Sequence, residues 1–184
     1  MFIETERTPN PATLKFLPDQ AVTDGGSLNV TTPEDAQGTP LAEALFALGD
    51  VTGAFFGPDF IAVTKAEGGA DWVELKPAIL AAIMQHLREG PVATQAAGVA
   101  ADADDPADAD IIAQIRDLLE TRVRPAVARD GGDIVYKSFQ NGIVYLHMQG
   151  ACSGCPSSTM TLKNGIETLL KHYVPEVTEV RAVA

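Results

Sequence analysis

Residues 91–109 read Pro-Val-Ala-Thr-Gln-Ala-Ala-Gly-Val-Ala-Ala-Asp-Ala-Asp-Asp-Pro-Ala-Asp-Ala, without an aromatic residue, a leucine, an isoleucine or a positive charge. A stretch so poor in large apolar side chains cannot carry the chain through a hydrophobic core. Gly98 and Pro106 interrupt the alanine-rich helix it could otherwise form. The 184-residue chain is therefore expected to build two small domains, residues 1–90 and 110–184, joined by a flexible acidic linker over 91–109. Charge divides the same way: residues 1–90 hold 13 acids and 5 bases, the linker 4 and 0, and residues 110–184 hold 8 and 8. The first domain is thus net −8 and the last neutral. No basic footprint for nucleic acid exists, and an acidic surface is repelled by anionic membranes, so small ligands and protein partners remain.

In the first domain, the Met1 to Arg7 and Ala12 to Leu17 runs around Thr8-Pro9-Asn10-Pro11 predict a hairpin. Leu41, Leu45 and Leu48 predict a short helix with Thr39 as N-cap, Pro40 at its first position and Gly49 at its end. Val51 to Phe56 and Phe60 to Lys65 flank Gly57-Pro58-Asp59 as a second hairpin. Leu75, Ile79, Ile83 and Leu87 stripe a helix from Asp71 to Arg88, which Pro77 must kink or restart. Phe55, Phe56 and Trp72 read most simply as core, with an aromatic partner-binding patch as the lesser reading. The domain is two-layer α+β, of ββαββα type.

The second domain opens on an amphipathic helix through Ile111, Ile112, Ile115, Leu118, Leu119 and Val123, with Pro125 as a kink or restart. Two β-rich runs, Ile134 to Phe139 and Ile143 to Gln149, flank Asn141-Gly142, the strongest short hairpin cue. A helix with Leu162, Ile166, Leu169 and Leu170 follows, and after Pro175 the Val177 to Val183 run alternates as a last strand. The order is α-β-β-α-β, again α+β.

Between the hairpin and that helix lies Gly150-Ala151-Cys152-Ser153-Gly154-Cys155-Pro156, with both of the chain's cysteines. Unpaired N–H groups and the positive dipole end of a helix start favour thiolate over thiol, and the small neighbours admit a bulky inorganic centre. Cys152 and Cys155 are therefore candidate ligands. Two thiolates fall short of the about four that a tetrahedral zinc or an iron–sulfur cluster takes, and a second chain is the simplest source of the rest. A thiol–disulfide oxidoreductase is an alternative, opposed by a domain that opens with a helix and hairpin where a β-α-β pattern is expected. Structural zinc shared across a dimer is another.

Other residues have plainer readings. His147 shares a strand with Val144, Leu146 and Met148 but points to the opposite face, away from the thiols. His86 and His172 have no cysteine nearby. Asp130 and Asp133, beside Gly131-Gly132, read as turn and cap residues rather than a cation site. Gly165, inside a helix at a cost of about 1 kcal/mol, implies close contact with a strand or a second chain.

Three blocks together resemble the NifU-like C-terminal domain of Nfu-type iron–sulfur proteins: Asp130-Gly131-Gly132-Asp133, the cysteine loop with Ser157-Ser158, and Leu162-Lys163-Asn164-Gly165-Ile166. Thr8 to Phe16, Phe55 to Phe60 and Asp71-Trp72 resemble the Nfu N-terminal domain. The resemblance implies a carrier, not an enzyme. It implies a 4Fe-4S cluster bound between two subunits of a homodimer by Cys152 and Cys155. It further implies that upstream cluster-assembly proteins supply that cluster, that apo iron–sulfur proteins receive it, and that the N-terminal domain contacts partners. The start of the chain lacks a basic n-region and the Arg-rich composition of a transit peptide, so it reads as a soluble, cytoplasmic chain or a mature form. The two-domain arrangement resembles mitochondrial and related bacterial members, which implies a bacterial, cytoplasmic chain ahead of a mature mitochondrial form.

Overall fold

The computed structural model describes residues 2–93, 104–153 and 156–183. The chain divides into two compact units between residues 97 and 98. In the first, β1 (Ile3–Arg7), β2 (Thr13–Pro18), β3 (Leu28–Val30), α1 (Pro40–Phe46), β4 (Val51–Phe56), β5 (Ile61–Lys65) and α2 (Trp72–Leu87) follow in order. The antiparallel sheet runs β1-β2-β5-β4-β3, so β1 and β3 are its edges. One face is closed by α1 and α2: Leu41 and Leu45 from one, and Leu75, Ile79, Ile83 and Leu87 from the other, pack on Phe16, Phe56, Ile61 and Val63.

The expected ββαββα order gains a strand, β3, which pairs with β4 from Leu28 opposite Phe56 to Val30 opposite Ala54. Three residues are too short for alternation to show, and only pairing with β4 makes them a strand. Thr39 does precede α1, but its side chain makes no capping bond. Glu43 reaches back instead, accepting from the Gly38 N–H at 2.9 Å. Pro77 neither starts α2 nor ends it. It sits in the second turn, where it cannot donate to the Val73 carbonyl.

In the second unit, a 3₁₀ turn at Pro106–Asp108 leads into α3 (Ala109–Leu118). A π-helical turn, Leu119–Val123, and α4 (Arg124–Arg129) continue it. The expected interruption near Pro125 is thus a widened turn ahead of the proline. Then come β6 (Gly132–Gln140), β7 (Ile143–Gly150), α5 (Pro156–Tyr173) and β8 (Glu179–Val183). Asn141 and Gly142 take φ of 52° and 79°, the left-handed pair that a two-residue hairpin turn requires. Val144, Leu146 and Met148 are buried as parity predicts.

β8 pairs with β7 in parallel, so the cysteine loop lies inside a β-α-β unit. The topological argument raised against an oxidoreductase therefore loses its footing. Among the described residues, no helix is long and apolar enough to cross a membrane.

Both ends of the expected linker are held. The Val92 N–H donates to the Val22 carbonyl at 2.7 Å. At the other end, the Asp104 carboxylate accepts from the Tyr136 hydroxyl at 2.9 Å and the Phe139 N–H at 3.1 Å. The two donors flank the irregularity in β6 between Tyr136 and Ser138. Burial first, then the Asp104 hydrogen bond, pushes the Tyr136 phenol above its usual range. The rest of that expectation, over 94–103, lies outside the described residues.

Candidate cluster-binding loop

β7 delivers the chain to the loop at Gly150, whose φ of 66° turns it out of the sheet. The Ala151 N–H donates to the Gly131 carbonyl at 3.1 Å, and the Ser153 N–H and hydroxyl both turn back to the Gly150 carbonyl, at 3.1 and 2.9 Å. From α5, the Thr159 hydroxyl donates to the Cys152 carbonyl at 2.7 Å. The Glu167 carboxylate ties α5 to β8 by accepting from the Val180 N–H at 3.1 Å. The loop is thus fastened to the turn before β6 through Gly131, to the end of β7 and to α5.

Cys152 is 5% exposed and packs with the buried core that includes Ile134, Met148 and Ile166. Its sulfur lies against Gly132, where a Cβ would stand 2.6 Å from Sγ. The thiolate expectation is corrected here. Burial, then the charges of Asp130 and Asp133, pushes the Cys152 thiol up to about 12. Helix-start polarity does not reach a sulfur turned into the core. Cys155 lies outside the described residues.

In a Cys155→Ser protein, where Cys152 is the sole thiol, iodoacetamide is expected to react at least about a hundredfold more slowly at pH 8 than with an unhindered thiol. The rate should still climb between pH 9 and 11. An ordinary rate that levels off near pH 9 would contradict the burial.

Asp133 is no simple turn residue. Its carboxylate, 9% exposed, takes a two-point contact from Arg124, with Nε to Oδ1 and Nη2 to Oδ2 both 2.8 Å, and accepts from the Ile134 N–H at 2.8 Å. Arg124 also donates to both Glu120 oxygens, at 2.8 and 2.9 Å. The fork pins α4 to the start of β6, the strand against which Cys152 packs. Asp130 is the C-cap residue of α4, donating its N–H to Val127 at 3.0 Å. His147 is apart from the loop, with Nδ1 3.2 Å from the Val183 carbonyl.

Sequence reasoning missed Arg124, Gly132 and Thr159 as site-forming residues. The Asp130-Gly131-Gly132-Asp133 block was the available signal, since a buried Asp demands a cation. Replacing Arg124 by leucine is expected to cost about 1–3 kcal/mol, at the low side for a buried pair because Arg124 is 39% exposed. Lysine, without the planar fork, should restore only part. Far-UV circular dichroism in urea checks this, with Trp72 fluorescence reporting separately on the first unit.

Residues 3–90 match the family described as scaffold protein Nfu/NifU N terminal, and residues 115–181 match the NifU-like domain. The chain is 47% identical over 184 residues to the human protein named NFU1 iron-sulfur cluster scaffold homolog, mitochondrial, covering all of this chain and 72% of that one. It is 48% identical over 182 residues to NifU-like protein 4, mitochondrial, of Arabidopsis thaliana, covering 96% of this chain and 64% of that protein. A solution structure of a NifU-like protein from Saccharomyces cerevisiae aligns with a TM-score of 0.45 at 27% identity, over 49% of this chain and 81% of that one. The expectation of a cytoplasmic bacterial chain is corrected by these relatives, which are described as mitochondrial. Composition could not decide it, because folding and thiolate chemistry make the same demands in either compartment.

Proposed function

The chain belongs to the Nfu family of iron–sulfur cluster scaffold proteins, and from that premise we propose that Cys152 and Cys155 hold the cluster this carrier delivers to apo-proteins. The cluster is cargo, bound and then given up. The observation that carries the reading is the loop itself: the sequence places both cysteines between β7 and α5, and Cys152, beside Gly150, Ala151 and Ser153, sits in a turn fastened to Gly131 on one side and to α5 on the other.

A 4Fe-4S cluster takes about four thiolates and each chain has two cysteines, so the loaded form is a homodimer in which each copy supplies the same pair. Iron displaces the thiol proton on binding, as any coordinated thiolate requires. Cys152 leaves the core to reach a cluster shared with a second chain, and it regains its contacts with Ile134, Met148 and Ile166 when the cluster departs. Burial of the empty ligand therefore favours release, which suits a carrier better than a resident redox centre.

Residues 1–90 contain no cysteine. Their share of the work is contact with recipient apo-proteins, and the acidic stretch over 91–109 links them to the cluster-binding domain, residues 110–184. Upstream assembly proteins load the loop.

The test is transfer from anaerobically loaded full-length protein to an apo four-iron protein in the presence of an iron chelator. The carrier should lose its brown colour as the recipient gains its own spectrum, at a rate the chelator does not change. Recipient maturation that the chelator abolishes would mean release into solution and would refute direct delivery.

A further inference from the structure

At the β1 corner of the first unit, beside the start of α2, lies an open cleft of about 580 Å³. Its charged lining is Arg7 from β1 and Lys76 from α2, two of only five bases among residues 1–90, against 13 acids. Neither makes an ion pair among the described residues, whereas Lys15, buried nearby, is paired with Glu6 at 3.5 Å. Lys76 is held by donating to the Thr5 hydroxyl at 2.6 Å, which leaves its other protons for an incoming acceptor. The first turn of α2 also lines the cleft. Asp71 gives it no side-chain cap, so its leading N–H groups lack a side-chain acceptor.

Apolar surface comes from Pro9, Pro11, Trp72 and Val73, set among Asn10 and threonine side chains that also line the cleft. Val73 is 85% exposed, the highest exposure among the large apolar side chains of the described residues. The Trp72 indole N–H donates to the Pro11 carbonyl at 3.3 Å, which fixes the ring against the turn. That turn is rigid in its own right: the Thr8 hydroxyl shares its one proton between the Asn10 and Thr13 carbonyls, 2.9 and 3.0 Å away, and Asn10 Oδ1 accepts from the Ala12 N–H at 3.0 Å. A preformed cleft loses little conformational entropy when it is filled.

Cations and apolar walls side by side fit carboxylates that alternate with apolar side chains. We infer that this cleft docks an extended acidic, apolar-flanked segment of a recipient apo-protein. The inference rests on the carrier reading. A nucleic acid or an anionic membrane spreads its charge over the whole acidic surface of residues 1–90, net −8, whereas a short segment sets its few carboxylates against Arg7 and Lys76 alone; a lone small anion leaves Trp72 and Val73 without a partner.

The probe is a capped hexapeptide alternating glutamate with leucine and phenylalanine, titrated into the full-length protein and read by fluorescence of Trp72, the chain's single tryptophan. A saturable change is expected. The double variant Arg7→Glu with Lys76→Glu should weaken binding at least about tenfold, as should a neutral peptide with glutamine in place of glutamate. Val73→Glu, at a position too exposed to unfold the domain, should do the same. Excess peptide should slow transfer to a recipient while leaving cluster content unchanged. No saturable change, equal binding by the charge-reversed variant, or full displacement of the peptide by inorganic phosphate would each overturn the docking site. Absence of any cluster on the wild-type protein would instead strike the carrier reading and leave the binding curve to stand by itself.

Discussion

Alanine in place of either Cys152 or Cys155 is expected to reduce iron and sulfide on the anaerobically loaded protein below about a tenth of the wild-type content. In a symmetric pair each substitution removes two of the four thiolates at once, so the loss is not the partial one that a monomeric four-cysteine site gives. The two variants should nevertheless differ in stability. Cys152 belongs to the core, so Cys152→Ala opens a small void there and is expected to cost about 1 kcal/mol. Iron and sulfide analysis beside thermal unfolding separates the two effects. Should one variant retain a cluster of native spectrum at native occupancy, that cysteine is not a ligand.

Gly132→Ala is expected to be nearly as damaging to cluster content, without touching a thiol. A Cβ at Gly132 would lie 2.6 Å from Cys152 Sγ and 2.6 Å from the Gln149 carbonyl. The sulfur could swing away, but the carbonyl is backbone of the strand to which Gly132 is paired, and Gly132 stands opposite Gly150 at the entry to the loop. Either β6 and β7 separate there or the loop is displaced. The expected cost is about 2 kcal/mol or more, a fall of several degrees in the unfolding temperature of the second unit, with cluster content reduced severalfold.

Gly165→Ala is the internal control. A Cβ there meets nothing within 4 Å, which corrects the expectation of close contact with a strand. Relief of the helix penalty should make that variant neutral or more stable by up to about 1 kcal/mol. Equal cluster content in Gly132→Ala and Gly165→Ala would show that packing against Cys152 does not matter to the site.

What the sequence made legible was local. Alternation through Val144, Leu146 and Met148 set the inner face of β7, Asn141-Gly142 set the turn, and the position of Cys152 between a strand and a proline-led helix set the loop. Each depends on neighbours a few residues away. Features that depend on distant partners were hidden. β3 exists only because β4 pairs with it, and the parallel direction of β8 is fixed by its contact with β7. Asp104, within a composition that reads as linker, finds Tyr136 and Phe139 more than thirty residues on. The burial of Cys152 went unseen for the same reason: a thiol at a helix start looks exposed until Gly132, on another strand, leaves room for it to turn inward.

The measurement that bears most directly on the account is the native mass of the anaerobically loaded full-length protein, taken with its iron and sulfide counts. The account predicts one species of two chains carrying a single 4Fe-4S cluster, which separates into cluster-free chains or a colourless dimer when the cluster is removed. A stable cluster on a single chain without added thiol, or a two-chain species that holds zinc and takes up no iron, would contradict it.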